Sequence, residues 1–273
     1  MLPNLRHLAS PTVAAVLLCS GRQIMVERAV RCYRAQTYGP RSLLVFDNGN
    51  PQITLAWQAD EIHVDGRAFA GGSIGALRNA ANTLCSGVDI LAHFDSDDWS
   101  HPLRLAEQVA FLQSSGKRCV GYRRALFRDT RPTPPEAWEY TAMAELAGYS
   151  IDASRCYWRE FWQCRPMVDA TFADFAWWAK SPEAFAAETP SELRMVCGIH
   201  GDNMSGAYRP DTMSKPEWRR APEFDLLCAS AHGGMIPSYA STQVSGARPD
   251  RQVREGFRSA PSRSAQAGEA CSD

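Results

Sequence analysis

The sequence predicts an α/β protein built on a mostly parallel sheet flanked by helices. A first observation is the succession of an apolar run at Val13–Cys19, an amphipathic stretch at Ile24–Gln36 and a second apolar run at Ser42–Phe46. Apolar runs of this length predict buried strands, and a strand, helix and strand in this order form a parallel βαβ unit. A second observation is the apolar run Ile90–Phe94, which leads directly into a cluster of carboxylates.

The other elements of the first half continue this alternation. Gly39 and Pro40 turn the chain between the first helix and the second strand. Periodicity predicts a weaker strand at Glu61–Val64, helices at Ser73–Leu84 and Leu103–Leu112, and a short strand at Arg118–Tyr122.

The chain changes character after Arg123, and three regions are predicted. Residues 1–122 form the sheet-based half, and residues 123–237 form a second half that is rich in Trp, Tyr and Phe and contains a strand at Arg194–Ile199. Residues 238–273 are rich in Ser, Ala, Gly, Arg and Pro and poor in apolar residues, which predicts a disordered tail.

Composition and charge narrow the class of protein. The 273 residues are 45% hydrophobic and 22% charged, which is ordinary for a soluble globular chain, and a net charge of −1 argues against a nucleic-acid partner. The nine cysteines contain no C-x-x-C pair, which favours reduced thiols and a cytoplasmic location. The apolar run Val13–Leu18 is too short to span a bilayer, so any membrane contact is expected to be peripheral, at the inner face.

The carboxylate cluster Asp95-Ser96-Asp97-Asp98-Trp99, called the acidic box below, is the main functional signal. Carboxyl ends of strands are where open α/β sheets bind ligands. Three acids within four residues repel one another unless a cation or another partner neutralises them. Oxygen ligands of this kind suit Mg²⁺ or Mn²⁺, which often bridge protein carboxylates to substrate phosphates.

Other interpretations of the acidic box are weaker. An EF-hand counted from Asp95 needs Gly at its sixth position and Glu at its twelfth, where this chain has Ser100 and Ala106. An aspartyl phosphatase has Thr or Val where this chain has Trp99. A helix cap explains Ser100 and Pro102 but leaves the three acids unexplained.

Five segments of the chain are informative as an ordered set. They are Ala35–Tyr38, Val45–Gly49, Leu77–Asn79, the acidic box, and Phe172–Phe175 with Trp177 and Trp178. On these segments, and on a sixth, looser match at His200–Ser205, the chain resembles the family 2 glycosyltransferases of the GT-A fold over about residues 12 to 206.

This resemblance implies a metal-dependent enzyme that uses Mn²⁺ or Mg²⁺. Asp97, helped by Asp95 or Asp98, would hold the cation that neutralises the departing nucleoside diphosphate. His200 would complete the metal shell or contact the diphosphate, with a structural loop histidine as the alternative. Asp95 and Asp97 are also expected to contact the nucleotide-sugar.

The resemblance also implies the remaining donor contacts. Asp47 and Asn48 stand where the family recognises base and ribose, although Asn48 replaces an acid that is usual there. Cys19 and Ser20 end the first strand beside the nucleotide, and Arg78 would pair with donor phosphates or ribose. A UDP-sugar is the favoured donor.

The predicted catalytic base is Asp174, which corresponds to an Asp that follows Glu in the family. Ala173 replaces that Glu here. Asp174 would deprotonate the acceptor hydroxyl, so that attack opposite the diphosphate inverts the anomeric centre. Asp169 is the competing candidate.

Taken together, the resemblance implies an inverting, hexosyltransferase-type enzyme of polysaccharide biosynthesis. Residues 1–122 would bind the nucleotide-sugar, and residues 123–237 would bind a glycan or lipid-linked glycan acceptor and supply the base. A nucleotidyltransferase that makes a nucleotide-sugar is one alternative, supported only by the short Ser20-Gly21-Arg22 segment. A non-catalytic nucleotide-sugar-binding protein is the other alternative.

Overall fold

The computed structural model describes residues 10–141, 150–169, 194–203 and 213–233, and the backbone of 184–187. The chain divides into the units Met1–Pro237 and Ser238–Asp273, and every described residue belongs to the first unit. The predicted disordered tail lies outside the described residues. The division at residue 122 stays a prediction.

Strands and helices alternate through the first half, as the sequence predicts. The described strands are, in chain order, β1 (Val13–Cys19), β2 (Arg41–Asp47), β3 (Glu61–Asp65), β4 (Ile90–Asp95), β5 (Trp99–Ser100), β6 (Cys119–Tyr122), β7 (Arg124–Asp129), β8 (Glu136–Thr141), β9 (Cys156–Trp158), β10 (Ala184–Ala187), β11 (Met195–Ile199) and β12 (Trp218–Arg220). The described α-helices are α1 (Gln23–Arg34), α2 (Ile74–Leu84), α3 (Arg104–Ser115), α4 (Arg159–Cys164) and α5 (Asp225–His232). None of the helices in the described ranges has the length and apolar character needed to cross a membrane.

The main sheet has the strand order β10-β6-β9-β4-β1-β2-β3 among the described strands. Strand β1 pairs in parallel with β2 and β4, β2 pairs in parallel with β3, and β9 is antiparallel to both of its neighbours. The side chains of β1 and β4 are almost all buried on both faces of the sheet, as their continuous apolar sequences indicate. The predicted α/β class with a mostly parallel sheet is confirmed.

A second sheet, with the order β12-β8-β7-β11-β5, is not predicted from the sequence. Strands β7 and β8 are antiparallel and come from a segment whose charged residues conceal the strand pattern. Those charges are paired within the sheet: the carboxylate of Glu139 accepts hydrogen bonds from Arg124 and Arg219. The register of β5 and β11, in which Val196 pairs with Trp99, joins this sheet to the acidic box.

A fully buried arginine, Arg104, fastens the end of β4 to its surroundings. Its guanidinium donates to the carbonyl oxygens of His93 and Ala153, each at 2.7 Å, and to Ser100 Oγ at 2.8 Å. It also lies over the ring of Phe94, 4.8 Å from the ring centre. The strand that leads into the acidic box is therefore held from below by one buried cation.

His93 belongs to a buried hydrogen-bonded chain under the same strand. Its Nδ1 lies 3.1 Å from the carbonyl oxygen of Asp152, and its Nε2 lies 3.1 Å from the Tyr157 hydroxyl, which also accepts from Asn82. The carbonyl requires the proton on Nδ1, so Nε2 accepts from Tyr157. Burial, with Arg78 nearby, lowers the pKa of His93 to about 4.

We predict that the folded protein loses stability as the pH falls from about 6.5 to about 4. Over this range the unfolded chain takes up a proton at His93 that the folded chain excludes, so the free energy of unfolding falls by about 3 kcal/mol. His93→Gln removes this group and is expected to show a flatter pH dependence in urea unfolding. Parallel pH profiles for the wild type and the variant would contradict the assignment.

Candidate functional site

The candidate site lies at the carboxyl ends of β1, β2 and β4, which the parallel register brings to one edge of the sheet. Cys19 pairs with Asp47, and Leu18 pairs with Asp95, so the polar residues that end these strands stand side by side. The sequence predicts this edge as the ligand site because parallel strands present their carboxyl ends together.

Asp97 is the centre of a group of four side chains, called the Asp97 cluster below. Its Oδ2 lies 3.0 Å from Nε2 of His200, 3.1 Å from Nδ2 of Asn203 and 3.6 Å from Nη1 of Arg22. Asn203 also donates to the carbonyl oxygen of Gly198 and accepts from the main-chain nitrogen of His200. The turn after β11 therefore presents both His200 and Asn203 to Asp97.

Hydrogen bonds around His200 fix the position of its proton. Nδ1 accepts from the main-chain nitrogen of Asp202 at 3.1 Å, so a neutral ring carries its proton on Nε2 and donates it to Asp97. Arg22 Nη1, at 3.1 Å, therefore faces a second donor at Nε2, while its Nη2 donates to Ser96 Oγ at 3.0 Å. The cluster consequently presents more donors than acceptors, a property suited to an anionic ligand.

The neighbouring carboxyls of Asp97 and Asp98 have opposite electrostatic settings. Burial raises the pKa of Asp97, but the hydrogen bond from His200 and the charge of Arg22 outweigh it and keep the pKa below its usual value. Burial, together with the charges of Asp97 and Asp95, raises the pKa of Asp98 well above its usual value. Asp98 points inward and accepts a hydrogen bond from the main-chain nitrogen of Gly198 at 3.0 Å.

Asp95 is directed to a buried arginine on α2. Arg78 is 2% exposed, and its Nη2 donates to Asp95 Oδ1 at 2.7 Å. The same nitrogen lies 3.7 Å from Asp152 Oδ2. Arg78 therefore balances the charge of two carboxylates, Asp95 and Asp152, and it contacts the candidate site by its hydrogen bond to Asp95.

Asp47 is buried and its carboxylate is used within its own loop. Oδ1 accepts from the main-chain nitrogen of Gly49 at 2.9 Å, while Oδ2 accepts from that of Ile53 at 2.6 Å and lies 3.3 Å from His63 Nε2. The thiol of Cys19 is also buried, and burial followed by the nearby Asp47 raises its pKa. Both residues are therefore buried parts of the sheet edge, and the carboxylate of Asp47 holds the loop that follows β2.

Ser20 and Asn48 are the more accessible of the predicted donor contacts. Ser20 is exposed and Asn48 is half-buried. The main-chain nitrogen of Asn48 donates to the carbonyl oxygen of Cys19 at 3.0 Å, which fixes the backbone next to its side chain. Asn48 is therefore partly accessible at this edge, unlike the buried Asp47.

The predicted base Asp174 lies outside the described residues. Its competitor Asp169 is described, is exposed and accepts a hydrogen bond from Ser73 Oγ. The segment that leads to it is anchored by Asn79, whose Oδ1 accepts from Trp162 Nε1 at 2.8 Å and from the main-chain nitrogen of Met167 at 3.0 Å. The Leu77–Asn79 segment therefore joins the donor edge to the segment that precedes Asp174.

Arg22 and Asn203 are the site residues that sequence reasoning missed. Gly21 precedes Arg22 and has φ +67°, and a Cβ on Gly49 would lie 2.1 Å from Gly21 N, so these two glycines let the turn after β1 pack against the loop after β2. A glycine and an arginine directly after a strand were the available signal for Arg22. Asn203 lies within the His200–Ser205 match, but no spacing rule connects it to Asp97.

The residues of the Asp97 cluster fit a divalent cation that is completed by ligand phosphates. Within the described residues no three His, Cys, Asp or Glu side chains gather into a metal site. However, Asp97 Oδ2 and His200 Nε2 are 3.0 Å apart, about the separation of adjacent ligands around an octahedral cation with bonds of about 2.1 Å. A cation bound there would displace the Nε2 proton that His200 shares with Asp97, because a histidine binds metal through an unprotonated nitrogen. Mg²⁺ is typically held by one or two protein carboxylates together with substrate phosphates.

Comparisons with known proteins identify a family. The sequence model of Glycosyl transferase family 2 matches residues 18–174. No curated protein matches the chain by sequence.

Several solved structures are similar to the chain. Staphylococcus aureus TarS 1-349 in complex with UDP-GlcNAc aligns with TM-score 0.49 and 10% identity over 74% of this chain and 63% of that chain. S. aureus TarS gives TM-score 0.48 and 8% identity over 69% and 37%. The mannosyltransferase PcManGT from Pyrobaculum calidifontis in complex with GDP-Man and Mn²⁺ gives TM-score 0.49 and 12% identity over 82% and 70%. The chain thus spans less than two thirds of either TarS chain.

We predict that Asn203→Asp destabilises the Asp97 cluster. The new carboxylate would face Asp97 and the carbonyl of Gly198 where the amide now donates to both, so the free energy of unfolding should fall by about 2 kcal/mol at pH 7. The deficit should shrink at pH 5, because the introduced carboxyl can donate again once it is protonated.

Urea unfolding at the two pH values measures this effect. Asp202→Asn is the matched control, since Asp202 is exposed and adjacent. Equal stability of Asn203→Asp and the control at pH 7 would show that the amide does not hold the cluster together.

Proposed function

Because the chain belongs to glycosyl transferase family 2, we propose that it transfers a sugar from a nucleotide-sugar, with UDP-sugars favoured, to an acceptor hydroxyl with inversion. The observation that carries this proposal is the Asp97 cluster at the carboxyl edge of a parallel sheet. Its charged carboxylate, its histidine and its partly exposed arginine suit a cation and a diphosphate together.

Asp97 and His200 are the proposed holders of Mn²⁺ or Mg²⁺. When bound, the cation supplies positive charge that offsets the negative charge developing on the departing diphosphate. Asp95 pairs with Arg78 and Asp98 points toward Gly198, so we assign neither of them to the metal. Asp98 instead serves as a buried support.

Arg22 is the proposed direct contact to the diphosphate. It is partly exposed, and the donor group that it turns toward His200 gains an acceptor when phosphate oxygens arrive. Arginine suits this role because its planar fork can donate two hydrogen bonds to phosphate. Arg78 is buried, so it acts on the donor by orienting Asp95, which we place against the sugar or ribose.

The nucleoside is proposed to contact Ser20 and Asn48. Their side chains lie at the surface of the edge, and an amide can both donate to and accept from the edge of a pyrimidine. Asp47 and Cys19 support this surface from beneath, because the carboxylate of Asp47 already accepts from the nitrogens of Gly49 and Ile53.

Acceptor activation is assigned to Asp174, with a glycan or lipid-linked glycan as the acceptor. An Asp base removes the proton from the attacking hydroxyl while the diphosphate departs from the opposite face. The anchoring of residues 162–167 by Asn79 supports this assignment, since it fixes the start of the segment that carries Asp174 relative to the donor edge.

The decisive experiment measures nucleoside diphosphate release by the full chain from a panel of UDP-, GDP-, ADP- and dTDP-sugars. We expect release from one nucleotide class, UDP, in Mn²⁺ or Mg²⁺ and its loss in EDTA. Asp97→Asn should lower the rate on the order of 10²-fold or more, because an amide neither holds the cation nor balances its charge.

Asp202→Asn is the matched control for this assay and should behave as the wild type. Turnover that survives both EDTA and Asp97→Asn would contradict the proposed metal site. If no donor is turned over, and none binds in calorimetry with Mn²⁺ present, the transferase proposal itself fails.

A second prediction concerns the base. Asp174→Asn should leave the donor dissociation constant unchanged in calorimetry and lower donor turnover by about 10²-fold to 10⁴-fold, because the proton acceptor is removed but the nucleotide contacts remain. Asp169→Asn is the comparison. Full turnover in Asp174→Asn, with loss in Asp169→Asn, would transfer the role to Asp169.

A further inference from the structure

We propose that Arg28 is a positioning residue that holds Asp97 through its main chain and couples it to the C-terminal end of α5. This inference rests on the proposed function of Asp97. Arg28 lies on α1 and is none of the sequence-predicted site residues. Its charge acts on Asp97 and Asp98, but its hydrogen bond to Asp97 goes to the main-chain carbonyl oxygen and not to the carboxylate.

Two hydrogen bonds of Arg28 carry the inference. Its Nη2 donates to the main-chain carbonyl oxygen of Asp97, and its Nη1 donates to the carbonyl oxygen of His232 at 3.4 Å. His232 is the last residue of α5, where helix carbonyls lack partners within the helix and the helix dipole favours a cation. One guanidinium therefore joins α1, the acidic box and α5.

On its other side, the main chain of Asp97 packs against β11. A Cβ on Gly198 would lie 2.6 Å from the carbonyl oxygen of Asp97 and 3.3 Å from Cε1 of His232, so only a glycine fits this position. His232 Nε2 also lies 3.2 Å from the carbonyl oxygen of Val196. Asp97 is therefore confined between Arg28 and a strand that also supports α5.

In this arrangement, one group of Asp97 fixes its position and another is available to bind a cation. Arg28 donates its hydrogen bond to the main-chain carbonyl oxygen of Asp97. The carboxylate of Asp97 contacts His200 and Asn203 instead, and it is the group that we propose to bind the cation. Groups that orient a metal ligand change metal affinity by about 10-fold to 100-fold when they are removed. Because α5 lies beyond the family match at 18–174, the sequence comparison alone gives no reason to connect it with Asp97.

The test compares Arg28→Ala and Arg28→Lys with Arg31→Ala, a control at an exposed arginine on the same helix. Mn²⁺ affinity of the full chain is measured by electron paramagnetic resonance without donor. Amide hydrogen exchange over residues 95–100 is measured in the metal-free protein. Donor KM and kcat are measured at fixed Mn²⁺, and circular dichroism reports folding.

We expect Arg28→Ala to weaken Mn²⁺ binding by about 10-fold or more and to speed exchange in residues 95–100. Arg28→Lys should lose less, because it retains a charge and one donor. Millimolar methylguanidinium should restore much of the Mn²⁺ affinity of Arg28→Ala, and Arg31→Ala should match the wild type. A role confined to general stability would lower the melting temperature without rescue by methylguanidinium.

Unchanged Mn²⁺ affinity in folded Arg28→Ala would overturn the inference. So would unchanged exchange over residues 95–100. If Arg28→Ala does not fold, wild-type Mn²⁺ affinity in Arg28→Lys overturns it instead. If the wild type itself binds no Mn²⁺, the proposed metal site fails, and the exchange measurement alone decides whether Arg28 holds Asp97.

Discussion

The repulsion among three carboxylates within four residues is the constraint on which the site depends. The fold separates them by giving each a different partner: Asp95 meets buried Arg78, Asp97 meets His200 and Asn203, and Asp98 turns inward to a main-chain nitrogen. Asp98 is buried, whereas the side chains of Asp95 and Asp97 are 29% and 15% exposed. The three carboxylates are therefore not equivalent, and the proposed metal ligand is Asp97, the one that lies beside His200.

The register between β5 and β11 produces this separation. Val196 pairs with Trp99 in an antiparallel ladder, and the same register carried two residues further places Gly198 opposite Asp97. The absence of a side chain at Gly198 lets the main chain of Asp97 approach closely. The main-chain nitrogen of Gly198 donates a hydrogen bond to the carboxyl group of Asp98. The second sheet therefore directs Asp98 inward and leaves Asp97 beside His200 and Asn203.

The sequence predicts the features that depend on neighbouring residues, such as strands and helices. It does not predict the contacts that depend on residues far apart in the chain. Strands β1, β2 and β4 and the position of the acidic box follow from apolar runs and the parallel βαβ rule. Strands β7 and β8 are not predicted because their charged residues look like those of a solvated loop, and the pairing of Glu139 with Arg124 and Arg219 is visible only in the structure. From the sequence, Asp98 looks as suitable a metal ligand as Asp97. Its hydrogen bond to the main-chain nitrogen of Gly198, 100 positions away, cannot be predicted from its neighbours.

The family match and the candidate site cover different parts of the chain, because several residues that contact the acidic box lie beyond the matched segment. The match ends at residue 174 and includes Arg22, whereas three other residues that distinguish Asp97 from Asp98, namely Gly198, His200 and Asn203, lie beyond it. A chain that kept the acidic box but lost β11 and its following turn would keep Arg78 beside Asp95 and Arg22 beside Asp97, but it would lose the hydrogen bond of Gly198 to Asp98 and those of His200 and Asn203 to Asp97. The acidic box therefore supplies the carboxylates, while β11 and its following turn supply the hydrogen bonds that direct Asp98 inward and place His200 and Asn203 beside Asp97.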